Sequence, residues 1–161
     1  MINLTKKIIK NYISNGQYKF GSYACFVPID DQYGVKLFTD SKERDISFKR
    51  QDLASQYGLA PKVSKPFDFK KPIKLNLYTT HYDDDDDEYL CFYSGFVTEK
   101  VETLKKPDDY SKEDYEKIVK QIDNLVKKLA KFELDFFDDH FGNFGYLNKK
   151  FVAIDFGSEG F

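Results

Sequence analysis

The chain has 161 residues, of which 41% are hydrophobic and 17% aromatic; this predicts a packed core in one domain, or one domain with a small accessory lobe. Its 25 basic and 27 acidic residues leave a net charge of −2, so nucleic acid is not the expected partner, because binding phosphates usually requires a basic surface. No stretch has the ~20 apolar residues that span a bilayer, and the start lacks the apolar segment of a signal peptide. Two cysteines form no disulfide framework, which favours a reducing, cytoplasmic location.

The first half of the chain alternates helical and strand patterns. Apolar residues at helical spacing predict an amphipathic helix over 2–15, and aromatic and β-prone residues predict two or three antiparallel strands over 17–38. A polar helix is predicted over 41–57, because a glycine stop signal follows it. Two further strands are predicted at 73–77 and 89–101.

The helix predicted over 41–57 has few apolar residues. Phe48, Leu53, Ala54 and Tyr57 lie on one of its sides, and most of its other positions are polar.

The second half begins with the clearest helix of the chain. Ser111 is its expected N-cap, with Asp114 three residues later as a variant of the capping box. An apolar stripe at helical spacing then runs through Tyr115, Ile118, Val119, Ile122, Leu125, Val126 and Leu129, and Phe132 continues it. After a polar loop, strands are predicted at 144–147 and 151–154, so the whole order is typical of an α+β fold.

The polar loop and the strand that follows it carry the residues most suggestive of chemistry. The loop reads Asp138-Asp139-His140-Phe141-Gly142-Asn143, and the last strand runs into Asp155-Phe156-Gly157. Two carboxylates and an amide oxygen in this arrangement suit Mg²⁺, which prefers hard oxygen ligands and leaves room for phosphate oxygens. The spacing therefore predicts a magnesium-dependent site, whereas either half alone is more typical of an ordinary polar turn.

These two segments resemble the protein-kinase-like superfamily. In that family an Asp precedes an Asn by five positions in the catalytic loop, and an Asp-Phe-Gly follows a hairpin. The D-x-H-x-G-N form is most similar to the aminoglycoside and choline phosphotransferases and to atypical kinases. The resemblance implies that Asp138 orients or deprotonates the acceptor hydroxyl and that Asn143 and Asp155 hold Mg²⁺.

Segments of the first half resemble the nucleotide-binding parts of the same family, in the same order. Gly16 to Gly21 resembles a glycine-rich loop, Val35-Lys36 the strand lysine that holds the phosphates, and 96–102 the strand that leads to the adenine-binding hinge. The resemblance implies that Lys36 acts in catalysis beside Asp138 and that ATP is bound by Gly16, Gly21, Lys36, Thr98, Glu99 and Val101, with Thr98 as the gatekeeper.

The resemblance also implies a division of the single domain. Residues 1–102 correspond to an N-terminal lobe, with an antiparallel sheet and one helix, and 103–161 to an abbreviated C-terminal lobe with a long helix and the catalytic hairpin. Since the sequence stops soon after Asp-Phe-Gly, we expect most of the usual C-terminal lobe to be absent. A partner protein or a second copy of the chain would then supply it.

The sequence departs from the family pattern at three places. Tyr18 stands where the second glycine of the loop is usual, and Phe136-Phe137 stand where protein kinases carry His-Arg. The helix acid that normally pairs with the strand lysine aligns with Gln51, which can hydrogen-bond Lys36 but brings no charge. Glu43 and Asp45 are alternatives on a different register.

Other conspicuous residues have simpler interpretations. The acidic run over 83–87 matches no EF-hand spacing and is expected to be a solvated loop. We expect His140 to orient the catalytic loop rather than transfer protons, and Cys25 and Cys91 to be buried in the core.

Three functions follow from the resemblance. The leading one is a minimal phosphotransferase that uses Mg·ATP and a protein Ser/Thr or small-molecule hydroxyl as the acceptor. The second is a pseudokinase, a nucleotide- or partner-binding regulatory module. The third is transfer of an adenylyl instead of a phosphoryl group on the same fold.

Overall fold

The computed structural model describes residues 5–21, 24–76, 89–135 and 140–157. These residues form an α+β structure with one five-stranded and one three-stranded sheet. In chain order its elements are α1 (Lys6–Ser14), β1 (Lys19–Phe20), β2 (Cys25–Pro28), β3 (Tyr33–Phe38), α2 (Ser41–Gln56), β4 (Val63–Asn76), β5 (Tyr89–Glu99), β6 (Glu102–Thr103), α3 (Lys112–Ala130), β7 (Phe144–Leu147) and β8 (Lys150–Ala153). Single turns of 3₁₀-helix lie at Pro107–Asp109 and Phe141–Asn143. None of the helices within the described ranges is long and apolar enough to cross a bilayer.

The larger sheet is antiparallel throughout, in the order β1-β2-β3-β5-β4. This confirms the strands predicted over 17–38 and places β5 beside β3, so the end of β5 lies next to the start of β3. Lys36 is paired with Phe26 on one side and with Phe96 on the other. Because side chains alternate along a strand, Lys36 projects from the face opposite to Val35 and Leu37.

One face of this sheet is apolar and is covered by α1. Ile9 and Ile13 of the helix pack with Val27, Val35 and Leu37 of the sheet, and all five are buried. Thr5 caps the helix by accepting a hydrogen bond from the Ile8 N–H. The predicted amphipathic helix is therefore confirmed within the described residues, and its apolar side serves the face away from Lys36.

The two cysteines were expected in the core. Cys25 is fully buried in this apolar face, whereas Cys91 is half-buried. Burial raises the pKa of the Cys25 thiol to about 12, so the thiol stays protonated and unreactive at neutral pH.

The opposite face of the sheet is covered by α2, whose position agrees with the predicted helix over 41–57. The residues that the helix buries are mostly polar: Arg44, Ser47, Gln51 and Ala54. Of the four apolar residues noted in the sequence only Ala54 is fully buried, and Tyr57 is 53% exposed. The apolar residues of the sequence therefore did not predict which side of α2 is buried, because the polar groups that the helix buries have partners in the sheet.

Strand β4 begins ten residues earlier than the predicted segment at 73–77 and pairs with β5 through irregular register shifts. Arg44 holds the irregular part, because its guanidinium donates to the Phe67 carbonyl at 2.7 Å and forms a salt bridge with Asp68 at 3.3 Å. Strand β5 ends at Glu99, so the expected extension to Val101 is not part of it.

The second core lies between α3, the end of α2 and the small sheet β6-β7-β8. Ser111 caps α3 by accepting from the Asp114 N–H, as the sequence predicts. The four buried residues of the helix, Ile118, Ile122, Leu125 and Leu129, all belong to the predicted stripe. Tyr115 of the same stripe is 42% exposed, and Val119, Val126 and Phe132 are half-buried. The hairpin β7–β8 follows, and its backbone is tied to the segment just after α2, because the Ala153 N–H donates to the Leu59 carbonyl at 3.0 Å.

Candidate functional site

A cleft of about 160 Å³ lies where the two sheets meet. Its walls come from β1 and β2, from β3, from the end of β5, and from the segments before β7 and after β8. Seven residues predicted as site residues line this cleft: Gly21, Lys36, Thr98, Glu99, Val101, Asn143 and Asp155. Residues from distant parts of the sequence therefore meet at one place.

Lys36 lines the cleft from β3, the middle strand of the larger sheet. Its ammonium donates to the Gln51 side-chain oxygen at 2.8 Å. It also donates to the carbonyl of Ile154, the residue directly after β8 of the small sheet. The side chain is 8% exposed and its Nζ lies 5.9 Å from the centre of the Phe96 ring. The lysine therefore joins the two halves of the cleft and is held in one position.

Gln51 is the helix residue that meets Lys36, as the preferred alignment predicts. Its amide nitrogen donates to the Thr98 hydroxyl at 2.9 Å and to the Pro61 carbonyl at 3.1 Å. Both N–H groups of the Gln51 amide therefore have acceptors, and the amide oxygen accepts from Lys36. The alternative Asp45 instead forms a salt bridge with Arg44 at 2.8 Å.

The electrostatics of Lys36 follow from these partners. Its two hydrogen-bond acceptors are neutral, and burial in the cleft lowers the pKa of the ammonium from 10.5 to about 8, although the Asp155 carboxylate opposes part of this shift. A nearby negative charge favours the charged form of a buried lysine. The cleft therefore favours a ligand with negative charge near Lys36.

Asn143 and Asp155 are brought together by the backbone. The Ile154 N–H donates to the Asn143 carbonyl at 2.9 Å, and the Asn143 N–H donates to the His140 carbonyl at 2.9 Å. The His140 ring nitrogen accepts from the Gly142 N–H at 3.0 Å and so caps the short helical turn that ends at Asn143. His140 thus holds the short turn that carries Asn143.

The segment after Asp155 is anchored below the cleft. Phe156 is fully buried in the core that includes Ala54 and Leu129, and Arg50 of α2 donates to the Gly157 carbonyl. The same helix that positions Lys36 through Gln51 therefore also holds the segment that carries Asp155. A displacement of α2 would move both residues.

The two glycines predicted to bind nucleotide have different places. The Gly21 N–H donates to the Ala24 carbonyl at 2.8 Å, beside the pairing of β1 with β2. A Cβ at Gly21 would lie 3.1 Å from the Asp155 carboxylate, so a side chain there would press against Asp155. Gly16 does not line the cleft; it follows α1 with φ of +70°, a left-handed conformation that ends the helix.

The end of β5 forms the edge of the cleft. Thr98 is 2% exposed and lies between Gln51 and the Glu99 carbonyl, to which its hydroxyl donates at 3.3 Å. The Glu99 carboxylate accepts from the Lys62 N–H at 2.8 Å. Val101 follows the strand and lines the cleft with its side chain half-buried.

Some predicted residues lie outside the described part of the chain. They are Asp138, the neighbouring Phe136 and Phe137, and the acidic run over 83–87. Within the described residues, no group of three His, Cys, Asp or Glu side chains is placed to hold a metal ion. An Asn amide oxygen and an Asp carboxylate that line one cleft are nevertheless hard oxygen ligands of the kind that Mg²⁺ uses together with phosphate oxygens.

Sequence reasoning missed the backbone acceptors of the site and three cleft residues of β1 and β2, of which Phe20 is one. The Ile154 and Pro61 carbonyls fix Lys36 and Gln51, but a carbonyl has no signature in the sequence. Lys19 and Phe26 also line the cleft. Their pairing with each other and with Lys36 across the sheet would have identified them once the strand register was known.

No family model, curated protein or solved structure matches this chain.

Proposed function

We propose that this protein is a minimal kinase-like phosphotransferase, which transfers the γ-phosphoryl group of Mg·ATP to a protein Ser/Thr or small-molecule hydroxyl. The observation that carries the proposal is the meeting of Lys36, Asn143 and Asp155 in one cleft. A fixed cation beside two hard oxygen ligands suits a metal–polyphosphate. This is the chemistry that phosphoryl transfer requires, since it depends mainly on positioning and on neutralising phosphate charge.

Each residue has a definite task in this proposal. Lys36 contacts phosphate oxygens from the position that Gln51 and the Ile154 carbonyl hold. Asn143 and Asp155 would hold Mg²⁺, which neutralises charge on the phosphates. Residues at the end of β5, Thr98 to Val101, would border the base.

The reaction forms a bond between the acceptor oxygen and the γ-phosphorus. The bond from that phosphorus to the bridging oxygen breaks, and ADP leaves with the electron pair. The proton of the acceptor hydroxyl passes to Asp138, the residue to which the family resemblance assigns this step. Atoms and charge balance without a further reactant.

Binding measurements test the nucleotide site. By isothermal titration calorimetry the wild type should bind ATP more tightly with Mg²⁺ than with EDTA, and Asp155→Asn should lose this difference while it keeps the shape of the side chain. Asp123→Asn on the exposed side of α3 is the matched control and should behave as wild type. Absence of wild-type binding at millimolar Mg·ATP would contradict the proposal.

Transfer is tested separately. With Mg·[γ-³²P]ATP and a panel of protein and small-molecule hydroxyl acceptors, Asp138→Asn should retain nucleotide binding and lose transfer. If Asp138→Asn transferred phosphate at the wild-type rate, the role of Asp138 as the base would be wrong. Labelling from [α-³²P]ATP instead would indicate adenylyl transfer.

A second candidate function is a pseudokinase, a nucleotide- or partner-binding regulatory module. The observation that favours it is the neutral partner of Lys36, because Gln51 provides a hydrogen bond but no charge. It predicts that a bound partner protein is retained equally well by wild type and by Asp155→Asn, and that no acceptor is labelled.

A further inference from the structure

A row of four side chains crosses the larger sheet on the face that bears the cleft. Lys19 of β1 pairs with Phe26 of β2, Phe26 pairs with Lys36 of β3, and Lys36 pairs with Phe96 of β5. Directly paired residues of antiparallel strands project from the same face. Two lysines therefore flank one aromatic ring, and both lysines and Phe26 line the cleft.

The two lysines differ in their freedom to move. Lys36 is buried and its ammonium is held by Gln51 and the Ile154 carbonyl. Lys19 is exposed, and within the described ranges no hydrogen bond or salt bridge engages its ammonium. A ligand that contacts both must therefore reach Lys36 at its fixed position, whereas Lys19 can adjust to the ligand.

The distance between the lysines indicates the kind of ligand. Neighbouring strands lie about 4.8 Å apart, so β1 and β3 are separated by roughly 10 Å with Phe26 between them. This spacing suits a chain of two or three phosphates better than a single phosphate group. The end of β1 also comes close to the predicted metal ligand, because Gly21 lies against the Asp155 carboxylate.

Lys19 of β1 lies next to Tyr18, the residue that stands where the second glycine of the loop is usual. Tyr18 replaces the glycine at which the backbone of the loop would approach phosphates, and its ring packs edge-on against Phe20 at 5.5 Å. The bulky Tyr18 hinders a close approach of the backbone to phosphates, whereas the side chain of the next residue, Lys19, lines the cleft and carries a positive charge.

We propose that Lys19 is a second phosphate-binding residue, which contacts the outer phosphates of a nucleoside triphosphate while Lys36 contacts the phosphate nearest Asp155. This inference rests on the proposed function and deepens it, because it makes the length of the phosphate chain a determinant of affinity.

The test compares variants by calorimetric titration with three probes in the presence of Mg²⁺: ATP, inorganic tripolyphosphate and AMP. Lys19→Gln should weaken ATP and tripolyphosphate binding about tenfold, as expected for loss of one charge-assisted contact, and should leave AMP binding unchanged. Lys19→Arg should retain the wild-type affinities. The matched control is Lys10→Gln, at another exposed lysine, on α1, which covers the opposite face of the sheet.

The outcomes separate this inference from the proposed function. If wild type binds ATP and Lys19→Gln binds it as tightly as Lys10→Gln does, the role of Lys19 is wrong and the proposed function stands. Equal weakening of AMP and ATP by Lys19→Gln would also overturn the role, since it would not depend on the outer phosphates. If wild type binds neither ATP nor tripolyphosphate, both the phosphotransferase function and the role of Lys19 are wrong. Equal urea midpoints for the three variants and wild type show that folding is unaffected.

Discussion

Helices α2 and α3 have similar lengths, 16 and 19 residues, but they bury different chemistry. The buried side of α3 is entirely aliphatic, as in Ile122 and Leu129. That of α2 carries a guanidinium, a hydroxyl and an amide, and its most deeply buried large side chain is Gln51. The helix that only supports the core follows hydrophobic periodicity, whereas the helix that positions the cleft departs from it.

The difference has a physical cause. A buried polar group is tolerated only where a partner replaces water. Arg44 has Asp68 and the Phe67 carbonyl, and Gln51 has Lys36 and two further partners. These directional contacts fix α2 relative to the sheet in one geometry, which an aliphatic interface specifies less strictly.

The largest expected effect concerns the aliphatic helix. Leu129→Ala should lower the free energy of unfolding by about 2–5 kcal/mol, because Leu129 is fully buried and its truncation leaves a cavity. Urea unfolding measures this loss, and the exposed Lys128→Ala on the same turn is the control. ATP affinity of the folded variant should not change; a change would mean that α3 positions the cleft as α2 does.

The next effect is the pH dependence that Lys36 imposes. Its pKa in the folded chain is about 8 against 10.5 as the ordinary value, so between these pH values the unfolded chain holds a proton that the folded chain has lost. The free energy of unfolding should therefore rise with pH across this window, on the order of 3 kcal/mol at about 1.4 kcal/mol per pH unit.

Lys36→Met isolates this contribution, because the other lysines and the tyrosines titrate in both proteins. Urea unfolding at pH 7.5, 8.5, 9.5 and 10.5 should show the stability of wild type relative to Lys36→Met increasing with pH. A difference that stays constant from pH 7.5 to 10.5 would show that burial does not shift the pKa of this lysine.

A smaller effect is expected from the polar network itself. Gln51→Leu removes the donor to the Pro61 carbonyl and one acceptor of Lys36, and should cost about 1–3 kcal/mol of unfolding free energy. It should also weaken Mg·ATP binding, because Lys36 loses its orientation. Gln56→Leu, on the exposed end of the same helix, should do neither.

Calorimetry and urea unfolding on the two glutamine variants decide this point. Unchanged ATP affinity in Gln51→Leu would mean that the Ile154 carbonyl alone suffices to hold Lys36. A gain in stability would mean that α2 packs better with an aliphatic side chain. The polar buried side of α2 would then not be required for its packing against the cleft.

The smallest effect should be the same in both helices. Asp40 caps α2 by accepting from the Lys42 N–H at 2.8 Å, and Ser111 caps α3 by accepting from the Asp114 N–H at 3.2 Å. Asp40→Ala and Ser111→Ala should each lower the free energy of unfolding by about 0.5–2 kcal/mol. Thermal unfolding of the two variants measures this, and a clearly larger loss for one of them would show that the helices differ at their ends as well as on their buried sides.

Much of the fold was predictable because its signals are local. Three such signals are the cap Ser111, the glycines that follow α1 and α2, and the aliphatic stripe of α3. Each depends only on residues close to one another in the sequence, so it can be identified without knowledge of the fold. The start of β4 was not predictable in this way, because its irregular pairing is held by Arg44, a residue of another element.

The candidate site was predictable only in part. The sequence singled out Lys36, Asn143 and Asp155, and it preferred Gln51 over Asp45 as the partner of Lys36. It did not distinguish Gly21, which meets Asp155, from Gly16, which only ends α1. It also gave no reason to select Lys19, since one exposed lysine among many has no distinguishing neighbours in the sequence.

By itself, then, the sequence determined the helices and most of the strands of this protein, because side-chain period, caps and glycine turns are properties of short stretches of chain. Only the tertiary structure decided which polar groups meet. The contact of Lys36 with the Ile154 carbonyl joins residues 118 positions apart, and it exists because β5 lies beside β3 and α2 packs against both sheets. Such contacts depend on the order of the strands and the packing between them, which no local pattern encodes.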